Sequence, residues 1–144
     1  MRYVFVPLVL ATFLAAAVLL GAAAQNSGVI YADHEKVAKA GAIATNPDFT
    51  VNTNRRTAAG QVEVHAKETD IFYVTEGSAT FITGGTMIGG KTTAPNQIRG
   101  TNIQGGETHR LTKGDVIIIP AGVPHWFKEV PQSIQYLTVK SIKP

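Results

Sequence analysis

The sequence predicts an all-β protein, a sandwich or barrel of short strands preceded by one short N-terminal helix. Three observations support this fold class. From Phe49 onward, short apolar or alternating segments follow one another, separated by turns rich in glycine and proline. Residues 116–119 are all β-branched and apolar, which is typical of strands. No stretch of the chain repeats another, which predicts one barrel and not two.

Residues 1–24 are predicted to be a signal peptide. A short positive start precedes the apolar residues 4–20, and the small residues 22–24 suit cleavage by a signal peptidase. The alternative is an uncleaved membrane anchor, because the apolar stretch is nearly long enough to cross a bilayer. Pro7 and the polar residues that follow residue 24 favour cleavage. We therefore expect an exported protein, periplasmic or extracellular, with no stable membrane anchor after cleavage.

Charge and cysteine content exclude several classes of function. The 144 residues carry a formal net charge of +3, with lysine and arginine spread along the chain. Without a basic cluster, we expect no nucleic-acid partner. The sequence has no cysteine, so disulfides and thiolate zinc sites are excluded. Any metal must therefore be held by imidazole and carboxylate groups.

Residues 25–47 are predicted to form a helical segment before the barrel. Within it, a helix over residues 31–44 is expected, because Asp33 can cap the first turn and apolar residues recur at helical spacing. The sequence Asn-Pro-Asp at residues 46–48 then ends the helix.

Residues 48–144 are predicted to form the barrel domain. A turn at residues 76–77 is expected to separate two strands. Residues 84–106 are rich in glycine and threonine, and they form either a flexible loop or, as Ile98 and Ile103 favour, an ordered hairpin over the barrel mouth. The predicted strands cover residues 49–56, 61–66, 71–75, 78–83, 98–103, 107–111, 116–119, 125–130 and 134–142.

The strand at residues 116–119 is apolar at every position, so both of its faces are expected to be buried. One face would point into the barrel, and either the N-terminal helix or a second subunit would cover the other. Tyr73 and Trp126 are predicted to point outward and to pack at a subunit interface. We therefore expect a homodimer.

Four side chains that can ligate a metal are predicted to converge. Glu63 and His65 are two residues apart, which places both on one face of a strand. Asp70 begins the next strand, so three donors are expected at one end of a hairpin. His125 follows a rigid Ala-Gly-Val-Pro turn. Two imidazoles and two carboxylates from different strands are suitable donors for a divalent cation.

The stretch that ends at His125 resembles the second sequence motif of the cupin superfamily. That motif runs Gly, five residues, Pro-x-Gly, two residues, His, three residues, Asn. The chain matches it at Gly114, Pro120, Gly122 and His125. Glu129 replaces the final Asn, which is not a metal ligand in the family.

The first cupin motif is matched in its spacing from Glu63 to Gly77. It runs Gly, five residues, His-x-His, three or four residues, Glu, six residues, Gly. His65 and Gly77 fit directly, whereas Glu63 replaces the first His and Asp70 replaces the Glu. The opening Gly falls at Thr57, so this motif departs from the family pattern at three positions.

The resemblance implies the double-stranded β-helix of cupins, a jelly-roll barrel, with metal ligands at Glu63, His65, Asp70 and His125. The added carboxylate suits Fe(II), Mn(II) or Zn(II) better than Cu(I), and the sequence does not identify which divalent metal ion is bound. Asp70 is shorter than the family's Glu, so it reaches the metal either directly or through a water. The alternative is a cupin that has lost its metal and keeps these residues as a polar pocket.

The alternation of side chains along strands predicts the lining of this pocket. Phe72, Val74 and Phe127 are expected to face inward and to make the pocket apolar beneath the metal. His109 has the parity of an inward-facing residue, and we expect a structural role for it rather than a ligand role. Arg99 is either a clamp for an anionic substrate or, as we expect, a solvated surface arginine.

Two functional hypotheses follow from the resemblance. The first is a metal-dependent dioxygenase, isomerase or lyase for a small polar or anionic molecule, with the metal polarising a substrate oxygen. If Glu63 is not a ligand, it is a candidate general base, and no catalytic residue is otherwise assigned. The second is a non-catalytic module that binds a small ligand, because no further catalytic group is recognisable. The fold does not decide between them.

Overall fold

The computed structural model describes residues 28–142, which form one helix, α1 (His34–Val37), and twelve strands. The predicted signal peptide lies outside the described residues, and within them no helix is long and apolar enough to cross a bilayer. The first six strands are β1 (Gly41–Thr45), β2 (Phe49–Arg56), β3 (Val62–His65), β4 (Glu68–Thr83), β5 (Thr86–Ile88) and β6 (Lys91–Ala94). The last six are β7 (Gln97–Gly100), β8 (Asn102–Gln104), β9 (Glu107–Thr112), β10 (Val116–Ile119), β11 (His125–Glu129) and β12 (Ile134–Ile142).

The strands form an antiparallel double-sheet barrel, so the predicted all-β jelly roll with one short helix is confirmed. The first sheet has the order β1-β2-β12-β4-β10, and the second has the order β9-β4-β11-β3-β7-β6. β4 belongs to both, because its first half pairs with β10 and β12 and its second half pairs with β9 and β11. The short strands β5 and β8 pair separately.

The turn predicted at residues 76–77 is wrong, because β4 continues through Gly77 as one strand of 16 residues. Gly77 has a φ of +73°, which glycine adopts without the steric penalty of other residues. A Cβ atom at this position would collide with the backbone carbonyl oxygen of Ser133 on the neighbouring chain segment. Glycine here lets the strand pass from one sheet to the other instead of reversing its direction.

β3 and β4 do not form the hairpin expected from the sequence. β3 pairs with β7 and β11 in the second sheet, whereas the first half of β4 pairs in the first sheet. The corner at Ala66 and Lys67 therefore crosses between the sheets. As a result, Glu63 and His65 lie on one sheet and Asp70 lies on the other.

The helix predicted over residues 31–44 is wrong in its extent. α1 is a single turn, in which the Asp33 side chain accepts a hydrogen bond from the backbone N–H of Lys36. The chain then forms β1, which pairs with the edge of β2. That edge has backbone groups that need partners, and pairing with them outweighs the modest helix propensity of the segment.

An aromatic cluster fills the barrel. Phe72, Phe81, Phe127 and Tyr136 are all buried, and the ring centroids of Phe81 and Phe127 lie 4.6 Å apart. Aliphatic side chains complete this core, namely Val74, Ala79, Leu111, Ile119 and Ile134. A second cluster of Val62, Ile82 and Ile103 packs against Trp126. Trp126 therefore packs within its own chain, where a subunit interface was predicted.

The outer face of β10 is exposed, although both faces were predicted to be buried. Ile119 is buried, but Val116 and Ile118 are 60% and 61% exposed. Val116 pairs with Tyr73 on β4, and Tyr73 is 47% exposed. We call Tyr73, Val116 and Ile118 the outer apolar patch. The N-terminal segment contacts the sheet elsewhere, where Gln135 donates a hydrogen bond to the carbonyl oxygen of Ala38.

The Gly77→Ala substitution tests the role of the bend in β4. We expect it to lower the free energy of unfolding by roughly 2–4 kcal/mol, because an alanine with positive φ is strained and its methyl group meets Ser133. The matched control is Gly105→Ala, at a φ of +75°, where a Cβ atom would meet no atom of residues 28–142 within 4 Å apart from its chain neighbours. This substitution should cost only about 1–2 kcal/mol. Urea unfolding measures both values, and equal losses would contradict the close approach to Ser133.

Candidate metal centre

A cavity of about 230 Å³ lies between the two sheets. Its lining residues come from β2, β3, β4, β7, β11 and β12, so both sheets contribute to it. The four donors predicted from the sequence are among them, and the aromatic rings of Phe72 and Phe127 form part of the wall. The barrel thus holds charged groups against an apolar surface.

The structure brings Glu63, His65, Asp70 and His125 together. Nε2 of His65 lies 3.5 Å from Oε2 of Glu63 and 3.4 Å from Oδ2 of Asp70. Nε2 of His125 lies 3.8 Å from each of these two oxygens. Both histidines and Asp70 are buried. Donor atoms that lie within 4.8 Å of one another form two groups that share His65, namely Glu63, His65 and His125 in one and His65, Glu68 and Asp70 in the other.

Each carboxylate divides its two oxygens between a basic side chain and the histidines. Oε1 of Glu63 contacts Nη1 of Arg99 and lies 3.5 Å from Nη2 of Arg56, while its Oε2 faces the histidines. Oδ1 of Asp70 accepts a hydrogen bond of 2.7 Å from Nζ of Lys140, while its Oδ2 faces the histidines. These outer contacts fix the orientation of both carboxylates.

Lys140 is shared between two acidic groups. Besides Asp70, its Nζ donates a hydrogen bond of 3.1 Å to Oε2 of Glu68. Glu68 in turn lies 3.6 Å from Nδ1 of His65, and its Oε2 accepts a hydrogen bond from Gln97. The outer contacts of the site thus form a connected polar network around its donors.

The second ring nitrogen of His125 has a backbone partner. Nδ1 lies 3.0 Å from the carbonyl oxygen of Val123, to which it can donate a proton. Nε2 is then the lone-pair nitrogen, and it is buried without a hydrogen-bond partner among residues 28–142. A buried polar atom left in this state costs free energy. A cation bound at the centre would satisfy it, as in other sites with histidine ligands.

The pKa values of the donors reflect their mutual contacts. Burial acts to raise the pKa of Glu63, but the two histidines and Arg99 hold it well below its usual range. Burial also acts to raise the pKa of Asp70, which His65 and Lys140 lower. For His65, burial acts to lower the pKa, but Asp70 and Glu63 outweigh burial and raise it to about 9. The metal-free site therefore holds a proton on His65 at neutral pH, and metal binding would release it.

The donor set fits a divalent cation. Nitrogen and oxygen donors bind such an ion at about 2.1 Å, which in a tetrahedral arrangement separates neighbouring donors by roughly 3.4 Å. The four nitrogen–oxygen distances here are 3.4–3.8 Å, which is close to that separation. The unpartnered Nε2 of His125 supports the same conclusion. A Glu63 carboxylate that binds the metal is also too weakly basic to act as the general base.

Three basic residues of the site were not predicted from the sequence. Arg99 was expected on the solvated surface, but it lines the cavity and pairs with Glu63, so that expectation is wrong. Arg56 and Lys140 were not singled out at all. The alternation of side chains along the strands could have indicated them, because polar residues recur at every second position in two strands and all of them line the cavity. These residues are Asn52, Asn54 and Arg56 in β2 and Tyr136, Thr138 and Lys140 in β12.

The residues predicted to line the pocket fall in three places. Phe72 and Phe127 line the cavity itself. Val74 is buried in the aromatic core beneath it. His109, in contrast to its prediction, lies in a groove between β9 and β10, where its Nε2 is 2.8 Å from Oγ1 of Thr83. The reason is that β9 extends the outer edge of the second sheet and does not reach the donors.

Comparison with protein-family models gives one match, to the family described as Cupin, over residues 29–143. A comparison with curated proteins finds no match. The matched range includes every donor described above.

Solved structures share this fold. The TT1209 structure from Thermus thermophilus is similar at 17% identity and a TM-score of 0.56, covering 81% of this chain and 100% of that one. KdgF from Halomonas sp. is similar at 19% identity and a TM-score of 0.52, covering 72% and 79%. The Cnp3 cupin domain of Schizosaccharomyces pombe is similar at 15% and 0.52, covering 73% of this chain but only 61% of that chain. Identities this low show the fold alone.

Removal of Lys140 tests the charge balance of the site. In Lys140→Met, Asp70 stays buried and keeps only His65 as a positively charged neighbour, so we expect the free energy of unfolding of metal-free protein to fall by about 3 kcal/mol. The control is Lys128→Met, which alters an exposed lysine on β11 and should change stability by at most about 0.5 kcal/mol. Urea unfolding in the presence of a chelator measures both, and equal small effects would contradict a stabilising role for Lys140.

Proposed function

Because this chain belongs to the cupin family, we propose that it binds a divalent metal ion in its barrel and acts on a small polar or anionic molecule there. The metal would be iron, manganese or zinc, since the donors are imidazole nitrogens and carboxylate oxygens. The reaction types considered are those of a dioxygenase, an isomerase or a lyase.

The observation that carries the proposal is the close approach of both histidine nitrogens to the carboxylates of Glu63 and Asp70. Nε2 of His65 and Nε2 of His125 each lie within 3.8 Å of Oε2 of Glu63 and of Oδ2 of Asp70. Glu63, His65 and His125 form one candidate ligand group, and Asp70 joins His65 and Glu68 in a second. The second oxygen of each carboxylate is held by a basic side chain, so the donors are oriented before an ion arrives.

The residues of the chain would divide the remaining work. A bound metal ion would supply a Lewis acid that polarises an oxygen of the substrate. Phe72 and Phe127 exclude water from one side of the cavity. Tyr136 accepts a hydrogen bond from Nε of Arg56, and burial raises the pKa of Tyr136 despite the positive charge of Arg56. Its hydroxyl group therefore stays protonated and can donate a hydrogen bond to a ligand.

The second candidate is a non-catalytic module that binds a small ligand in the same cavity, with or without a metal. The favouring observation is that the acidic groups Glu63, Glu68 and Asp70 are all engaged by basic side chains. Within the described part of the chain, the cavity thus offers no uncommitted carboxylate as a general base. Turnover separates the two candidates, because a module gives ligand-induced thermal stabilisation and no product.

We also propose that the chain forms a homodimer through the outer apolar patch. Residues 28–142 leave Val116 and Ile118 exposed, which favours a second subunit as the cover of this face. Export to the periplasm or the extracellular space is proposed from the sequence of residues 1–24 alone.

Elemental analysis of protein purified without chelator or affinity metal tests metal binding. We expect close to one equivalent of iron, manganese or zinc, and loss of at least about 90% of it in the His65→Ala, His125→Ala double variant, because two of four ligands are removed. His109→Ala, which alters a histidine outside the cavity, is the control and should keep its metal. Full metal content in the double variant would refute the site.

Light scattering after size-exclusion chromatography tests the dimer. The Val116→Lys, Ile118→Lys double variant should be monomeric, because charge is placed on both exposed positions of β10. Thr92→Lys, at an exposed position on β6, should leave the dimer intact. A wild-type monomer at all concentrations, or a dimer that survives both lysines, would contradict this interface.

A further inference from the structure

The acidic and basic side chains around the histidines are equal in number before any metal binds. Three basic side chains, Arg56, Arg99 and Lys140, contact three acidic ones, Glu63, Glu68 and Asp70. Histidines bind metals in their neutral form, so they add no charge to the loaded site. A divalent cation therefore leaves an excess of two positive charges inside a cavity that is partly closed to solvent.

Arg56 is built into the wall of the cavity. Its Nε donates a hydrogen bond of 3.0 Å to the hydroxyl oxygen of Tyr136, and its guanidinium carbon lies 4.8 Å from the ring centroid of Phe127. On another side, Gly60 leaves room for the guanidinium group, because a Cβ there would lie 2.8 Å from Nη1. Held in this way, Arg56 loses little conformational entropy when it binds a ligand.

Arg99 approaches the same carboxylate from the other sheet. It lies on β7, and its Nη1 contacts Oε1 of Glu63, the oxygen that Arg56 also approaches. The side chains of Arg56 and Arg99 are 29% and 30% exposed, so a ligand that enters the cavity can reach both. Each guanidinium group has five N–H donors, and one carboxylate oxygen engages few of them. Two guanidinium groups therefore approach the same carboxylate oxygen, and Glu63 does not use all of their N–H donors.

We propose that Arg56 and Arg99 form an anion clamp beside the metal position, and that the loaded site selects small dicarboxylates over molecules with one or no negative charge. This inference rests on the proposed metal site, and it names the class of molecule that the site takes. Glu63 lies between the clamp and the histidines, so a ligand can place one carboxylate on each side of it. The cavity of about 230 Å³ is smaller than pockets for drug-sized ligands, which are about 300–1,000 Å³. It therefore suits a short molecule.

Isothermal titration calorimetry on the metal-loaded protein tests the selectivity. The probes are malonate, succinate and glutarate, each with its monoamide and diamide, which have nearly the same shape and fewer charges. We expect at least one dicarboxylate to bind about tenfold more tightly than its monoamide, and the diamides to give no measurable binding. Equal affinities within all three series would overturn the dianion selectivity.

Arginine variants test the clamp separately. Because both side chains also hold the carboxylate of Glu63, Arg56→Gln and Arg99→Gln are compared with the wild type at equal metal content, and each should weaken the preferred dicarboxylate about tenfold. Arg55→Gln is the matched control, because Arg55 is the exposed neighbour of Arg56 on β2. The Arg55→Gln protein should bind the dicarboxylate as tightly as the wild type does. If Arg56→Gln unfolds, Arg99→Gln still decides the result. Wild-type affinity in a folded Arg99→Gln protein would overturn the clamp.

Failure of the metal site can be told apart from failure of the clamp. If elemental analysis finds no metal, the proposed function fails, and the same anions are titrated into the metal-free protein. Binding that is lost in both glutamine variants would then support the clamp without the metal. Binding that is absent in the wild type, or unchanged in both variants, would overturn the clamp as well.

Discussion

The burial of Asp70 and the partial burial of Glu63 are the constraint on which the rest of the site depends. A carboxylate removed from water is strongly destabilising unless charges and hydrogen bonds compensate it. Here a basic side chain bonds to one oxygen of each carboxylate, and the other oxygen is left for the histidines. The need to compensate buried charge and the need to orient metal donors are therefore met by the same contacts.

The distances between the donors depend on how the two sheets pack against each other to form the barrel. Glu63 and His65 lie on the second sheet, Asp70 lies on the first, and His125 pairs with both β3 and the far half of β4. The aromatic core beneath them fixes the distance between the sheets. The packed barrel therefore sets the distances between the donors. The short sequence motifs bring the donors together only when the chain adopts this fold.

Much of the fold and the four donors could be predicted from the sequence, because they depend on local patterns. Strand alternation, turn residues and motif spacing are local, and they identified Glu63, His65, Asp70 and His125. Glu68, Arg56 and Lys140 escaped prediction, because charged residues in strands resemble solvent-facing ones until the partner strands are known. The helix over residues 31–44 and the turn at residues 76–77 failed for a related reason, since pairing with distant strands overrode local preference.

The sharing of β4 by both sheets has a consequence for how ligands enter. Its hydrogen bonds join β9, β10, β11 and β12, so the sheets cannot separate without breaking the ladder that holds the core together. Strands that are not bonded to β4 can move without breaking this ladder. β7 is one of them, since it pairs with β3 and β6, and it carries Arg99. Arg99 therefore lies on a strand that can shift without disturbing the hydrogen bonds that hold the core.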